Sequence, residues 1–162
     1  MLSERLQKSQ KLVRDLYDPH FSWLENDEIQ WPPYSKTLKS SKIALLTSCG
    51  IYRQDTQLPF DAWNHYGDPS FREIHIDTPR ARLQVSHDHY DHKFVNVDLN
   101  VVLPIDHMLS FQADGIIGSL YPWVYSFMGY NPQPKQLIDQ SVSIITSRLQ
   151  QDAVDAVVLT PC

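Results

Sequence analysis

The sequence predicts an α/β fold, a mainly parallel sheet with helices packed on it and long aromatic loops, in a Rossmann-like or flavodoxin-like layout. Two observations predict it. The runs KIALLTSCG, residues 42–50, and VDAVVLTPC, residues 154–162, are continuous apolar stretches bounded by turn residues, the look of parallel strands buried on both faces. Ahead of the second run, PKQLIDQSVSIITSRLQQDA, residues 134–153, carries Leu137, Val142, Ile145 and Leu149 near one helical face. A strand, intervening units, a helix and a strand in that order imply a crossover and at least two parallel strands. A chain of 162 residues suffices for one compact unit. It divides into an N-terminal helix with a wrapping segment, 1–41, and an α/β body, 42–162.

The remaining elements follow in chain order. Residues 3–17 place Leu6, Leu12, Val13, Leu16 and Tyr17 at helical spacing, with Ser3 as the cap. The connection after it holds Pro32 and Pro33, which forbid a regular helix there, and is expected to wrap the body through Phe21, Trp23, Trp31 and Tyr34. After the first strand, residues 51–70 read as an irregular aromatic loop, of a length that often marks function. FREIHID, residues 71–77, alternates as a half-buried strand. ARLQVSH reads as a short strand and LNVVLPID as a short strand or turn. A helix starts near Pro104 or Asp106 and stops near Gly115. SLYPWVYSFMGYNPQP reads as a second aromatic loop.

Composition excludes several functions. With Lys+Arg 14 against Asp+Glu 19 the net charge is −5, and no basic run is present. A nucleic-acid surface is therefore not expected. The apolar runs are too short to span a bilayer. The start, MLSERLQKSQKLVRDLY, is charged and amphipathic rather than a signal peptide. The expected location is cytoplasmic, with no membrane partner.

VSHDHYDHK, residues 85–93, concentrates three of the seven histidines in the chain. Its His-x-His-x-Asp-His spacing is the signature of metallo-β-lactamase hydrolases. On that reading His87 and His89 hold one metal and Asp91 and His92 a second, and a bridging water is the nucleophile. That fold needs further histidine ligands downstream, yet only His107 follows. Other readings stay open. Part of the cluster is enough to ligate one zinc or iron. The imidazoles titrate near neutral pH and suit proton transfer. A polar loop bonding to backbone is the plain alternative.

The chain has two cysteines, Cys49 and Cys162. Each follows one of the two apolar strands. If those strands are parallel neighbours, both thiols lie at the carboxyl edge of the sheet, where α/β folds gather functional groups.

The blocks TSCGIY, PFDAWNHYGDPSFREI, VSHDHYDH, VNVDLNVVLPID, GSLYPWVYSFMGY and VDAVVLTP, in that order from about residue 40 onward, resemble the selenoprotein B family of glycine, sarcosine, betaine and D-proline reductases. The resemblance implies a thiol- or selenol-dependent oxidoreductase that reductively cleaves a C–N bond of a small amine or amino acid. It implies a selenocysteine just beyond Cys162, with the reading frame ended at a UGA codon and the domain left incomplete. Alternatively, Cys162 stands at or beside the reactive position. Cys49 becomes a resolving thiol. His87, His89, Asp91 and His92 become the polar wall that moves protons or holds metal. Trp63, Trp123 and Tyr125 become aromatic faces for a substrate ammonium. A redox protein or a second reductase subunit is the expected partner. A metal-dependent hydrolase, and an inactive truncated subunit, are the competing functions.

Overall fold

The computed structural model describes residues 3–16, 18–23 and 32–161. The chain divides into two compact units, residues 1–34 and 35–162.

In the first unit, helix α1 spans Glu4–Leu16. Ser3 Oγ accepts the Leu6 N–H at 3.4 Å, as its place before the helix predicts. The chain returns along the helix, where Trp23 donates its indole N–H to the Leu6 carbonyl at 3.1 Å and Phe21 meets the Trp23 ring edge-on. Tyr17 and Trp31, which the sequence reading also used, lie outside the described residues.

The second unit is a mixed α/β body around a five-stranded sheet. Strand β1, Lys42–Thr47, occupies its centre. On one side β1 pairs in parallel with β7, Ala156–Thr160, through Ile43↔Ala156 to Thr47↔Thr160. On the other it pairs in parallel with β5, Ser119–Leu120, and then β6, Trp123–Phe127. Strand β3, Phe71–His75, lies antiparallel on the far side of β6. The two end strands of the sequence reading are thus direct parallel neighbours.

Period-two alternation along β1 divides the core between the two faces. Ile43 and Leu45 point to the larger cluster, with Ile74, Val124, and Ile105 and Met108 of helix α2, Ile105–Ala113. Ala44 and Leu46 point the other way, to Tyr121, Tyr125, Ile145 and Leu149. The second face is covered by one helical run: α3, Pro134–Leu137, a π-helical turn, Ile138–Val142, and α4, Ser143–Gln151. The π turn brings Ser141 inward, where its hydroxyl donates to the Pro69 carbonyl.

Four expectations are corrected or sharpened. The block YPWVYSF is not a loop: its aromatic and β-branched residues form β6, the strand between β1 and β3. Residues 51–70 are not wholly irregular, because Ile51–Arg53 forms strand β2, antiparallel to β4, Leu83–Val85. LNVVLPID, which the sequence leaves open between strand and turn, is a turn. Asp98 accepts the Asn100 N–H and starts a 3₁₀ turn, Leu99–Val101, and Ile105 already begins α2. Finally, β7 is not buried on both faces: Val157 is 46%, Val158 38% and Leu159 55% exposed, because β7 is an edge strand. No helix among the described residues is long and apolar enough to cross a membrane.

Candidate functional site

The carboxyl ends of β1, β6 and β7 meet in one place. Thr47, Ser126 and Thr160 are in register there. Just beyond, β1 turns through Ser48, Cys49 and Gly50. The backbone donors of this turn are all used: Ser48 N–H on the Thr160 carbonyl, Cys49 N–H on Thr47 Oγ1, and Gly50 N–H on the Phe127 carbonyl. Gly129 N–H returns to the Ser48 carbonyl at 2.7 Å. The Cys49 thiol is fully buried and points along the sheet edge, 3.8 Å from the Thr160 carbonyl, to which it donates.

The histidine segment is built onto this turn. Ser86 N–H donates to the Gly50 carbonyl at 2.8 Å, extending the β2–β4 ladder. Tyr90 Oη donates to the Cys49 carbonyl at 3.2 Å. His87 sits between two glycines. A Cβ on Gly50 would come within 2.9 Å of His87 Cβ, and one on Gly129 within 3.4 Å of His87 Nε2. Gly50 also holds φ at +65°, a conformation that side-chain-bearing residues rarely adopt. Any larger residue at Gly50 would drive His87 and the Ser86 carbonyl away.

Local hydrogen bonds assign protons to the imidazoles. His87 Nδ1 accepts the His89 N–H at 3.1 Å, so neutral His87 carries its proton on Nε2, toward Gly129. Burial, with the His89 and His92 rings adding to it, lowers the His87 pKa from 6.5 to about 4. His87 is therefore a neutral donor at physiological pH. His92 Nε2 lies 2.6 Å from the His87 carbonyl, the geometry of an N–H donor, which leaves its Nδ1 as the ring acceptor when neutral. The His89 ring stacks flat on Tyr130, centroids 4.0 Å apart. Tyr130 Oη in turn donates to the His65 carbonyl at 3.2 Å, tying the aromatic loop around Trp63 to the histidine segment.

The expected site residues thus fall into groups. Cys49, His87, His89 and His92 come together. Asp91 adjoins them in sequence but accepts the Lys93 N–H and shapes the turn. Trp63 is 83% exposed on the loop that Tyr130 holds. Trp123 and Tyr125 are not brought to the site. Trp123 starts β6, at the other end of the strand, against His75, and Tyr125 is enclosed against Phe71 and Tyr121. Cys162 lies outside the described residues, two positions past Thr160. Among the described residues no group of three or more His, Cys, Asp or Glu side chains gathers as a metal site. His87 Nδ1 and His92 Nε2 already face backbone partners, so the His-x-His-x-Asp-His set does not fit a shared ion. Gly50, Ser86, Tyr90, Gly129 and Tyr130 complete the site. Glycines directly after the strand ends were the sequence signal for two of them. The Tyr130 stack had none.

Comparison with known proteins gives concordant matches. Residues 8–162 match the family model for glycine/sarcosine/betaine reductase selenoprotein B. The chain is 35% identical over 130 residues to the D-proline reductase subunit gamma of Acetoanaerobium sticklandii, covering 80% of this chain and 52% of that subunit. It is 29% identical over 152 residues to the glycine reductase complex component B subunit gamma of Symbiobacterium thermophilum, covering 93% of this chain and 35% of that subunit. It is 28% identical to the sarcosine reductase complex component B subunit beta of Peptoclostridium acidaminophilum, again over 93% of this chain and 34% of the relative. The chain therefore spans from about a third to about half the length of these relatives. No solved structure matches it.

Proposed function

Because the chain belongs to the glycine/sarcosine/betaine reductase selenoprotein B family, we propose that it forms part of a reductase that cleaves the C–N bond of a small amine or amino acid. The carrying observation is that the histidine segment is built onto the Cys49 turn, beside the end of β7. Replacing a C–N bond by C–H and N–H takes two electrons and two protons. A dithiol, or a thiol with a selenol, supplies both on closing to a disulfide or selenenyl sulfide. Cys49 is one such group, and the second follows β7, as Cys162 or a selenocysteine just beyond it. A selenocysteine there would supply a stronger nucleophile at neutral pH.

This chain's own residues divide the remaining work. His87 offers an Nε2 N–H, held beside Gly129. His89 and His92 exchange protons with the leaving amine, and Asp91 fixes their turn. Trp63 offers an aromatic face to an ammonium group. No step runs through zinc or iron, since the donor set does not fit one. The Rossmann-like layout belongs to the same proposal, supported by three parallel strands whose carboxyl ends converge on the site. A thiol redox centre suits the reducing cytoplasm. The relatives are named as subunits, which supports a second reductase subunit or a redox protein as partner.

The test is amine release from glycine, sarcosine, betaine and D-proline with dithiothreitol as reductant. The polypeptide assayed carries these residues within the full length of a family subunit. Cys49→Ser is expected to abolish turnover. Undiminished release by that variant would refute the redox role. A second reading is favoured by the fraction of the relatives that this chain spans: the 162 residues alone are an inactive subunit. Substantial turnover by the 162-residue chain would exclude it.

A further inference from the structure

The sheet has two unlike edges. Strand β3 ends it on one side, carries the charged Arg72 and Glu73, and meets the 57–59 segment, where Gln57 Nε2 donates to the Glu73 carbonyl and Arg72 to the Leu58 and Pro59 carbonyls. Strand β7 ends it on the other and reads AVVLT, with no charge and three residues between 38% and 55% exposed. Among the described residues no strand pairs with its outer side. The Thr160 carbonyl faces β1, where it accepts the Ser48 N–H. Backbone direction alternates along a parallel strand, so Val157 and Leu159 turn their N–H and C=O groups to the open side. The face next to this edge is also open. A groove of about 270 Å³ runs between β7 and the helical cover, lined by Leu46, Phe127, Val142, Ile145, Val157 and Leu159 among others.

We propose that this edge and groove seat one further strand and its covering helix, supplied by the length of family polypeptide that these 162 residues do not span. Three observations select that occupant. The run α3–α4 is the crossover from β6, over β1, to β7, and it covers the groove face. Parallel crossovers are right-handed almost without exception, so a further one stepping outward from β7 lays its helix on the same face, beside α4. That is where the groove lies. The relatives carry the necessary chain, since the match covers 52% of one and 35% of another. An uncharged edge, unlike β3, fits a permanent neighbour within one fold. The proposal rests on family membership and on no reductase chemistry.

Hydrogen exchange, read at concentrations where each protein is monomeric, tests it. In the 162-residue chain the amides of Val157 and Leu159 are expected to exchange quickly and that of Val158 slowly. In the intact D-proline reductase subunit gamma, the amides aligned with Val157 and Leu159 are expected to exchange about 100-fold more slowly than in this chain. Equal exchange in the two proteins would overturn the proposal. So would protection gained only on adding another subunit, or slow exchange of those amides in the short chain itself. Leu159→Pro gives a second reading, because it removes an outward N–H and spares the β1 ladder. The short chain is expected to tolerate it with near-unchanged near-ultraviolet circular dichroism. The aligned substitution in the intact relative is expected to unfold it or leave it insoluble. Equal tolerance would also overturn the proposal.

Discussion

Protonating His87 should cost the native fold far more than it costs the unfolded chain. In the unfolded chain the imidazole titrates near 6.5, whereas in the native site burial and the neighbouring rings bring it to about 4. Between those values unfolding takes up one proton, so stability rises with pH across the window, by at most about 1.4 kcal/mol per pH unit. The contribution is fully present above pH 6.5 and is lost as pH falls toward 4. His87→Asn provides the comparison, because an amide oxygen can still accept the His89 N–H while nothing titrates. Packing lost in the variant shifts its stability by a constant. The gap between wild type and variant is therefore expected to narrow by about 2–3 kcal/mol between pH 7 and pH 4.5. Urea denaturation at several pH values measures it, and the subtraction removes the carboxylates that titrate in both proteins. Parallel stability curves across that range would refute the buried neutral imidazole. Nitrogen shifts should show Nε2 protonated and Nδ1 bare at pH 7.

Other substitutions probe the same corner of the molecule. Gly50→Ala meets both a left-handed backbone and the Ser86 carbonyl, so a loss of at least about 2 kcal/mol is expected in chemical denaturation. A tolerated alanine would contradict the close approach of His87. Tyr90→Phe removes the bond to the Cys49 carbonyl and should cost about 1 kcal/mol while raising Cys49 reactivity toward a thiol reagent. An unchanged labelling rate would show that the turn does not depend on Tyr90. Thr160→Val deletes a hydroxyl that reaches the Val102 carbonyl at 2.6 Å, with about 1 kcal/mol expected to be lost on thermal unfolding. Leu45→Ala opens the centre of the sheet and should cost about 2–5 kcal/mol, the largest effect of the set.

The sequence reading succeeded where one residue pattern has one physical meaning. KIALLT and the helix at 134–153 are long, periodic and bounded by breakers, and both are where they were expected. The parallel pairing of the strands before Cys49 and Cys162 also holds. It failed where aromatic residues blur the distinction between strand and loop. Trp123 and Tyr125 were expected as aromatic faces for an ammonium group, in a block that read as a loop. The block is a strand instead, with Trp123 exposed at its start and Tyr125 packed in the core. The exposure of β7 was illegible for another reason. An apolar run records what a strand is suited to pack against, whichever side of it is covered. The histidines were visible as a cluster, but their partners were not. Tyr130 under His89 and the Cys49 carbonyl at Tyr90 depend on segments brought together only by the sheet.

The central place of β1 has a consequence during synthesis. Thr47 pairs with Ser126 on one side and Thr160 on the other, the latter 113 residues further along the chain. The first strand of the sheet to leave the ribosome therefore waits, unpaired on both edges, for its parallel neighbours β5, β6 and β7. Pairings this distant in sequence form slowly. Throughout that interval Cys49, sealed in the finished fold, is open to oxidants and to any other strand edge. Its rate of modification in ribosome-bound chains of increasing length would time the closing of the sheet.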